Sequence, residues 1–347
     1  MIGLFPFVVL IAACIFAILT SFLITPLFIK IAFARDILDR PTGLKNHKTP
    51  VPYLGGLAVY SSFIIALALF FPVDQNLSFF LIGSTLLLLI GLVDDLMPLS
   101  AFYKLLGQIM AALCFLKGGF FLKQEFIGSF SSPLFPYLFM AISFFWVLTI
   151  VNAINLVDIM DGLASTSALG VFIGFFVFAC IFNRYCVALI ISICIGTLVG
   201  FLHFNKAPAK IYLGDAGSLF IGGILATIPF MLPWGTYTAF GFLTPVIILG
   251  VPLVEVLSLV IIRTCKGTPF YLGSPDHFAH YYLAQSWSKK SILVIVTAFN
   301  IILIIVSLLF NLGYLSILST IITLFLLLVA WCATLYGKYM LFFINKK

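Results

Sequence analysis

Four polar side chains, Asn152, Asn155, Asp158 and Asp161, recur at every third residue of Asn152-Ala153-Ile154-Asn155-Leu156-Val157-Asp158-Ile159-Met160-Asp161-Gly162-Leu163-Ala164. One apolar run, 138–151, leads into this segment and another, 168–181, leads out. On a helix three residues advance by about 300°, so the four groups form one slowly drifting stripe. A carboxylate in hydrocarbon costs roughly 3 kcal/mol even on the lenient insertion scale. Two carboxylates and two amides at the end of an apolar run are therefore expected to face a polar cavity, which marks a functional site; an interfacial cap ending at Asp161-Gly162 is the plainer alternative.

Three further segments carry comparable chemistry. Asp94-Asp95 closes another apolar run, and adjacent carboxylates make sense where a cation or a proton separates them. Lys104 follows, with Gln108 one turn later on the same face; an acid cap with a snorkelling lysine would use the same residues. In the segment from His203 through Asn205 to Leu213-Gly214-Asp215-Ala216-Gly217-Ser218, the glycines let backbone approach a ligand before a helix start that favours phosphate. Asp215 can hold Mg²⁺, a hard cation that prefers oxygen, although an Asp/Ser helix cap would also account for the pattern. The 263–290 loop brings Arg263, Lys266, Asp276, His277 and His280. Two histidines without a cysteine make a poor zinc site, so His277 and His280, spaced for one helical face, suit phosphate or sugar. Glu255, after Pro252 inside an apolar run, needs a partner and reads as structural or groove-lining.

The elements that must position these groups are membrane helices. The 347 residues are 63% hydrophobic and 8% charged with mean hydropathy +1.25, more apolar surface than a soluble domain of this length needs. We expect an all-α polytopic integral membrane protein forming one multi-pass domain over 1–347, with eleven spans (or ten, since the first is long and the eighth short) near 4–33, 53–72, 79–97, 101–121, 134–157, 163–182, 186–204, 218–234, 237–262, 291–311 and 314–341. The 39 phenylalanines suit lipid-facing surface, and the seven cysteines, lacking CxxC pairs, read as small core residues. Most lysines and arginines fall on one side of this arrangement, which places the N-terminus outside and the C-terminus in the cytoplasm. Asp36, Asp39, Asp94, Asp95, Asp158, Asp161, Asp215 and Asp276 gather on that same side. Cation bias gives no reason for this, whereas a cytoplasmic-face site binding a metal and a charged substrate does.

Taken in order, these segments resemble the polyprenyl-phosphate N-acetylhexosamine-1-phosphate transferases, the MraY/WecA family, over residues 39–283. The family's Asp-Asp pair falls on Asp94 and Asp95, its lysine and glutamine on Lys104 and Gln108, its Asn-rich segment on Asn152 to Ala164, its nucleotide-side asparagine on Asn205, its metal aspartate on Asp215 and its histidine loop on 277–280. The opening Asp39-Arg40-Pro41, Lys45-Asn46-His47, Pro50-Val51-Pro52 and Gly55-Gly56 look like the WecA branch; the triple histidine of MraY is absent. Departures are Ile159-Met160 for Gly-Leu, Ala279 and Tyr281 in the histidine loop, and Leu44 before Lys45.

The resemblance implies transfer of N-acetylhexosamine-1-phosphate, GlcNAc-1-phosphate first, from a UDP-sugar to undecaprenyl phosphate in the inner (plasma) membrane, with release of UMP. It implies Mg²⁺, or Mn²⁺ in its place, on Asp215 with Asn155 as second ligand. It implies phosphate neutralisation by Lys104, and Asp94 or Asp95 either as base or as organiser of Lys104 and the metal. Substrate contacts would come from Asn152, Asp158, Asp161, Asn205, Gly214, His277, His280 and Lys45. Nucleic acid is not expected as a partner, and a homodimer is a possible assembly. An MraY-type phospho-MurNAc-pentapeptide transferase is the near alternative. A UbiA-type prenyltransferase would space its aspartates by four where this chain steps by three, and a transporter would carry midplane charges and an inverted repeat.

Overall fold

A computed structural model describes residues 4–40, 50–71, 75–123, 134–267, 269 and 275–344. The chain forms thirteen α-helices among the described residues: α1 Leu4–Ala34, α2 Gly55–Phe70, α3 Gln75–Leu96, α4 Ala101–Lys117, α5 Phe135–Val157, α6 Leu163–Ile181, α7 Tyr185–Asn205, α8 Gly214–Thr227, α9 Thr244–Ile248, α10 Gly250–Cys265, α11 Phe278–Ala284, α12 Lys289–Asn311 and α13 Ile317–Ile344. A two-residue antiparallel ribbon, Leu38–Asp39 with Val51–Pro52, is the only strand pairing among the described residues. Long apolar sequence leaves the backbone no polar partner but itself, and the helix satisfies every interior N–H and C=O.

Each expected span coincides with a helix, but not all are equally long. Eight are long and apolar enough to cross a bilayer: α1, α3, α5, α6, α7, α8 with its continuation to Thr236, α12 and α13. Counting α9 with α10 as one broken span makes nine. Helices α2 and α4, of 16 and 17 residues, reach only about 24 and 26 Å, short of the ~30 Å hydrocarbon layer. The ninth expected span, 237–262, is not continuous: α9 and α10 meet at a 73° bend. Pro252 enters α10 near its start, where its missing N–H would be unpaired anyway, so a helix can begin there but cannot run through unbroken.

Helix α8 is central, with 83% of its span buried and α2, α3 and α5 around it. The close crossing depends on missing side chains. A Cβ on Gly91 of α3 would lie 2.3 Å from the Asp215 carbonyl, and one on Gly56 of α2 would lie 2.3 Å from the Gly217 nitrogen. The backbones of α2 and α3 therefore press on the first turn of α8, bringing Asp94 and Asp95, one turn beyond Gly91, beside Asp215. A second apolar cluster joins α10 to α13.

Two expectations about side chains need correction. More of the described phenylalanines are buried than exposed: Phe63, Phe80, Phe115, Phe172, Phe175, Phe178, Phe201 and Phe220 fill the interior, while leucine, isoleucine and valine cover much of the lipid-facing surface. All seven cysteines are free, yet only Cys194 is buried; Cys186, Cys265 and Cys332 face outward.

Candidate active site

A cavity of about 750 Å³ opens where the ends of α3 and α5, the start of α8, α11 and the start of α12 meet. Six carboxylates line it: Asp39, Asp94, Asp95, Asp158, Asp161 and Asp215. Asn205, Gly214, His280, Tyr53, Tyr212, Leu283 and Lys289 complete most of the wall. Asp94 from the end of α3, Asp158 from the turn after α5 and Asp215 from the first turn of α8 thus converge on one cavity.

Asp215 is the hub. One of its oxygens accepts from the Lys104 ammonium and the other from Asn155 Nδ2 at 2.9 Å. Lys104 Nζ also donates to Asp94 Oδ2 at 3.1 Å, while Asp94 Oδ1 accepts the Leu99 N–H at 2.7 Å. Lys104 is therefore clasped between two carboxylates from different helices. Asn155 lies behind the wall, donating at 3.0 Å to Ser218 Oγ as well.

Asp95 has a different task. Its two oxygens accept the N–H groups of Asp215 and Ala216 at 2.8 and 3.0 Å. The α8 N-terminus, expected from sequence to favour phosphate, is occupied by the protein's own anion. Gly214 makes this contact feasible: its φ is +69°, and a Cβ there would lie 2.6 Å from Asp95 Oδ2.

The Asn152–Asp161 stripe is helical only in part. Helix α5 stops at Val157, Asp158 forms its C-cap, and Gly162 at φ +72° starts α6, so Asp158 and Asp161 sit on a turn rather than on the helix face. Burial, and next the charges of Asp215 and Asp95, hold the Asp158 carboxyl well above the usual carboxylate range. Asp161 accepts the Ala209 N–H at 3.1 Å and pairs with Lys289 at 2.9 Å. Asn152 stays outside the cavity, paired with Gln108 through bonds of 2.7 and 3.3 Å. Asn205 is fixed by Ser165 and by the Ile211 carbonyl, both at 2.9 Å.

His277 and His280 do not share one cavity-facing surface. His280 lines the cavity, whereas His277 caps α11 from behind, its Nδ1 2.8 Å from Glu255 Oε1. That bond identifies the partner the buried Glu255 requires. Lys45 lies outside the described residues. Sequence reasoning passed over Lys289, Tyr53 and Tyr212. Lys289 sits among ordinary interfacial cations, and the tyrosines become neighbours, ring centres 6.0 Å apart, only through the fold. Burial, then the charges of Asp161 and Asp39, push the Tyr212 phenol up to about 12. Burial, then the Asp39 charge and hydrogen bond, lift Tyr53 above its usual range, so both phenols are donors facing acids.

The oxygen-rich set, with six carboxylates against Lys289 on the wall and Lys104 behind it, matches a hard divalent cation in chemistry and charge. Among the described residues, no three His, Cys, Asp or Glu side chains are already drawn together as a closed metal cluster. Ligands would have to be completed by substrate oxygens or water, the usual pattern for Mg²⁺.

The glycosyl transferase family 4 model matches residues 77–232, which hold Asp94, Asp95, Lys104, Asp158, Asp161 and Asp215. A probable undecaprenyl-phosphate N-acetylglucosaminyl 1-phosphate transferase of Bacillus subtilis is 31% identical over 291 residues, covering 82% of this chain and 81% of that protein. A phospho-N-acetylmuramoyl-pentapeptide-transferase of Halalkalibacterium halodurans is 31% identical over 320 residues, covering 82% and 92%. Another of that name from Bacillus cytotoxicus is 32% identical over 303 residues, covering 80% and 90%. With likeness of this extent running through the acid-lined cavity, the chain is a multi-pass membrane protein that belongs to glycosyl transferase family 4, the MraY/WecA family.

Proposed function

We propose that this single polytopic domain transfers N-acetylhexosamine-1-phosphate, GlcNAc-1-phosphate in the first instance, from a UDP-sugar to undecaprenyl phosphate at the cytoplasmic face of the plasma membrane. The observation that carries the reading is the convergence of Asp94, Asp158 and Asp215 with Lys104 around one cavity. The Bacillus subtilis relative supports the amino sugar and the lipid acceptor. The phospho-N-acetylmuramoyl-pentapeptide-transferases keep a second donor in view, UDP-MurNAc-pentapeptide. His277-Phe278-Ala279-His280, in place of the triple histidine of MraY, favours the first.

In the transfer, an oxygen of the lipid phosphate attacks the β-phosphorus of the UDP-sugar. The bond from that phosphorus to the bridging oxygen breaks, and UMP leaves with the oxygen. Such reactions need positioning and charge neutralisation more than covalent help from protein. Lys104 supplies fixed positive charge beside Asp94 and Asp215. Asp158, Asp161 and Asn205 hold the nucleotide end, and His280 and Lys289 face the diphosphate-sugar from the opposite wall. Asp215 would hold Mg²⁺ or Mn²⁺, which when bound would neutralise diphosphate charge, while Asn155, behind the wall, orients the Asp215 carboxylate rather than reaching the cavity itself. Asp94 keeps Lys104 in place, and a lipid phosphomonoester, mostly dianionic at pH 7, does not require a base.

The test is a membrane assay with undecaprenyl phosphate and separately radiolabelled UDP-GlcNAc, UDP-GalNAc and UDP-MurNAc-pentapeptide. Label from UDP-GlcNAc should enter the lipid with stoichiometric UMP. Label from the pentapeptide donor alone would move the protein to the second reading, and no transfer from any donor would end the proposal.

A further inference from the structure

We propose that Glu255 is a positioning residue for the transfer: from inside α10 it fixes the start of α11 and so holds His280 on the cavity wall. The inference rests on the reading that this cavity binds the UDP-sugar. Glu255 is 2% exposed within an apolar helix, where an acid is expensive to keep and calls for specific partners. Both of its oxygens go to consecutive residues. Oε1 meets His277 Nδ1 at 2.8 Å, and Oε2 accepts the Phe278 N–H at 3.4 Å. A carboxylate there orients the imidazole and caps α11 in one stroke.

Helix α11 has seven residues, too few to hold an orientation by its own hydrogen bonds. Its anchors come from either side. Phe278 and Tyr282 lie against Trp331 of α13, ring centres 5.1 and 6.1 Å away, and the Tyr282 hydroxyl meets Thr334 Oγ1 at 2.6 Å. From α10 comes Glu255. Between these holds, His280 and Leu283 turn toward the cavity, with the His280 ring 6.0 Å from that of His277. Because α10 begins at the 73° bend, the direction of its axis sets where Glu255 meets α11. Neither contact touches the reacting atoms, so Glu255 acts through His277 and α11.

Two readouts separate this role from general support of the fold. In kinetics, Glu255→Ala should lower kcat/KM at least tenfold, and Glu255→Ala/His280→Ala should be no worse than His280→Ala within twofold, because the second change removes the group the first one misplaces. In hydrogen exchange of the purified protein without substrate, amides in 279–285 should exchange at least tenfold faster in Glu255→Ala while α12 is unchanged. Multiplying kinetic losses, or unchanged α11 exchange, would overturn the proposal. If Glu255→Ala does not fold, Glu255→Met decides. It keeps the length of the side chain and accepts neither contact, so at least tenfold loss of kcat/KM and faster exchange in 279–285 are expected, and wild-type values in both would overturn the proposal. The exchange arm needs no turnover, so an inactive wild type would count against the transferase reading and not against the hold on α11.

Discussion

Lys104 decides most at the scale of single residues, because it touches Asp94 and Asp215 together. Lys104→Met should lower kcat by at least about a hundredfold, the scale at which removal of one preorganised charge partner is felt, and single-turnover transfer from labelled UDP-GlcNAc would measure it. Asp215→Ala should abolish Mg²⁺-dependent release of UMP; turnover like the wild type would remove the metal assignment. Lys289 is 39% exposed and bound to one acid, Asp161, so it can reach an incoming anion. Lys289→Met should raise KM for the UDP-sugar about tenfold with little change in kcat, and Lys289→Arg should restore it. His280 has its pKa lowered by burial and then by His277. The native state thus binds fewer protons there than the unfolded chain, so the contribution to stability is full above the unfolded value of about 6.5 and is lost as pH falls below it and through the lowered folded value. A thermal-unfolding series from pH 7.5 to 5.5 should show a fall that His280→Gln reduces. The chemistry-bearing residues were legible by type, since acids beside apolar runs have few other uses. Their division of labour was not. That Asp95 serves the backbone of Asp215 depends on a contact 120 residues away in sequence, and no local pattern encodes it.

Individual elements were legible in place and less so in outline. Apolar run length located every membrane-length helix, because hydrocarbon admits little else, but it passed over the seven-residue α11 inside the 263–290 loop and does not say where a helix must break. The turn after Val157 and the bend before α10 arise from Gly162 at positive φ and from Pro252, small local features inside otherwise uninterrupted apolar sequence. Gly214→Ala tests how much one such position carries. A left-handed non-glycine residue costs about 1–2 kcal/mol, and the added Cβ would meet Asp95. Thermal unfolding in detergent should fall by several degrees, with loss of transfer as α8 draws away from its cap. An unchanged midpoint would mean that the first turn of α8 adjusts freely.

For the molecule as a whole, the uneven distribution of lysine and arginine predicts that the acid-lined cavity opens to the cytoplasm. An impermeant maleimide on intact cells should leave a cysteine at Leu283 unlabelled while labelling one at Lys117, in a background without native cysteines; the reverse pattern would invert the topology. Mg²⁺ together with UDP-GlcNAc should raise the unfolding midpoint more than either alone.

The clasp on Lys104 has a further consequence for selectivity. When nothing is bound, the ammonium is locked by its own protein, and a stray inorganic anion must pull it from two carboxylates while entering a ring of acids. On the proposed reading, a guest that brings a counterion of its own would release the ammonium without leaving those acids bare. Free phosphate would then compete poorly for the site, and a nucleotide diphosphate escorted by a metal would open the clasp.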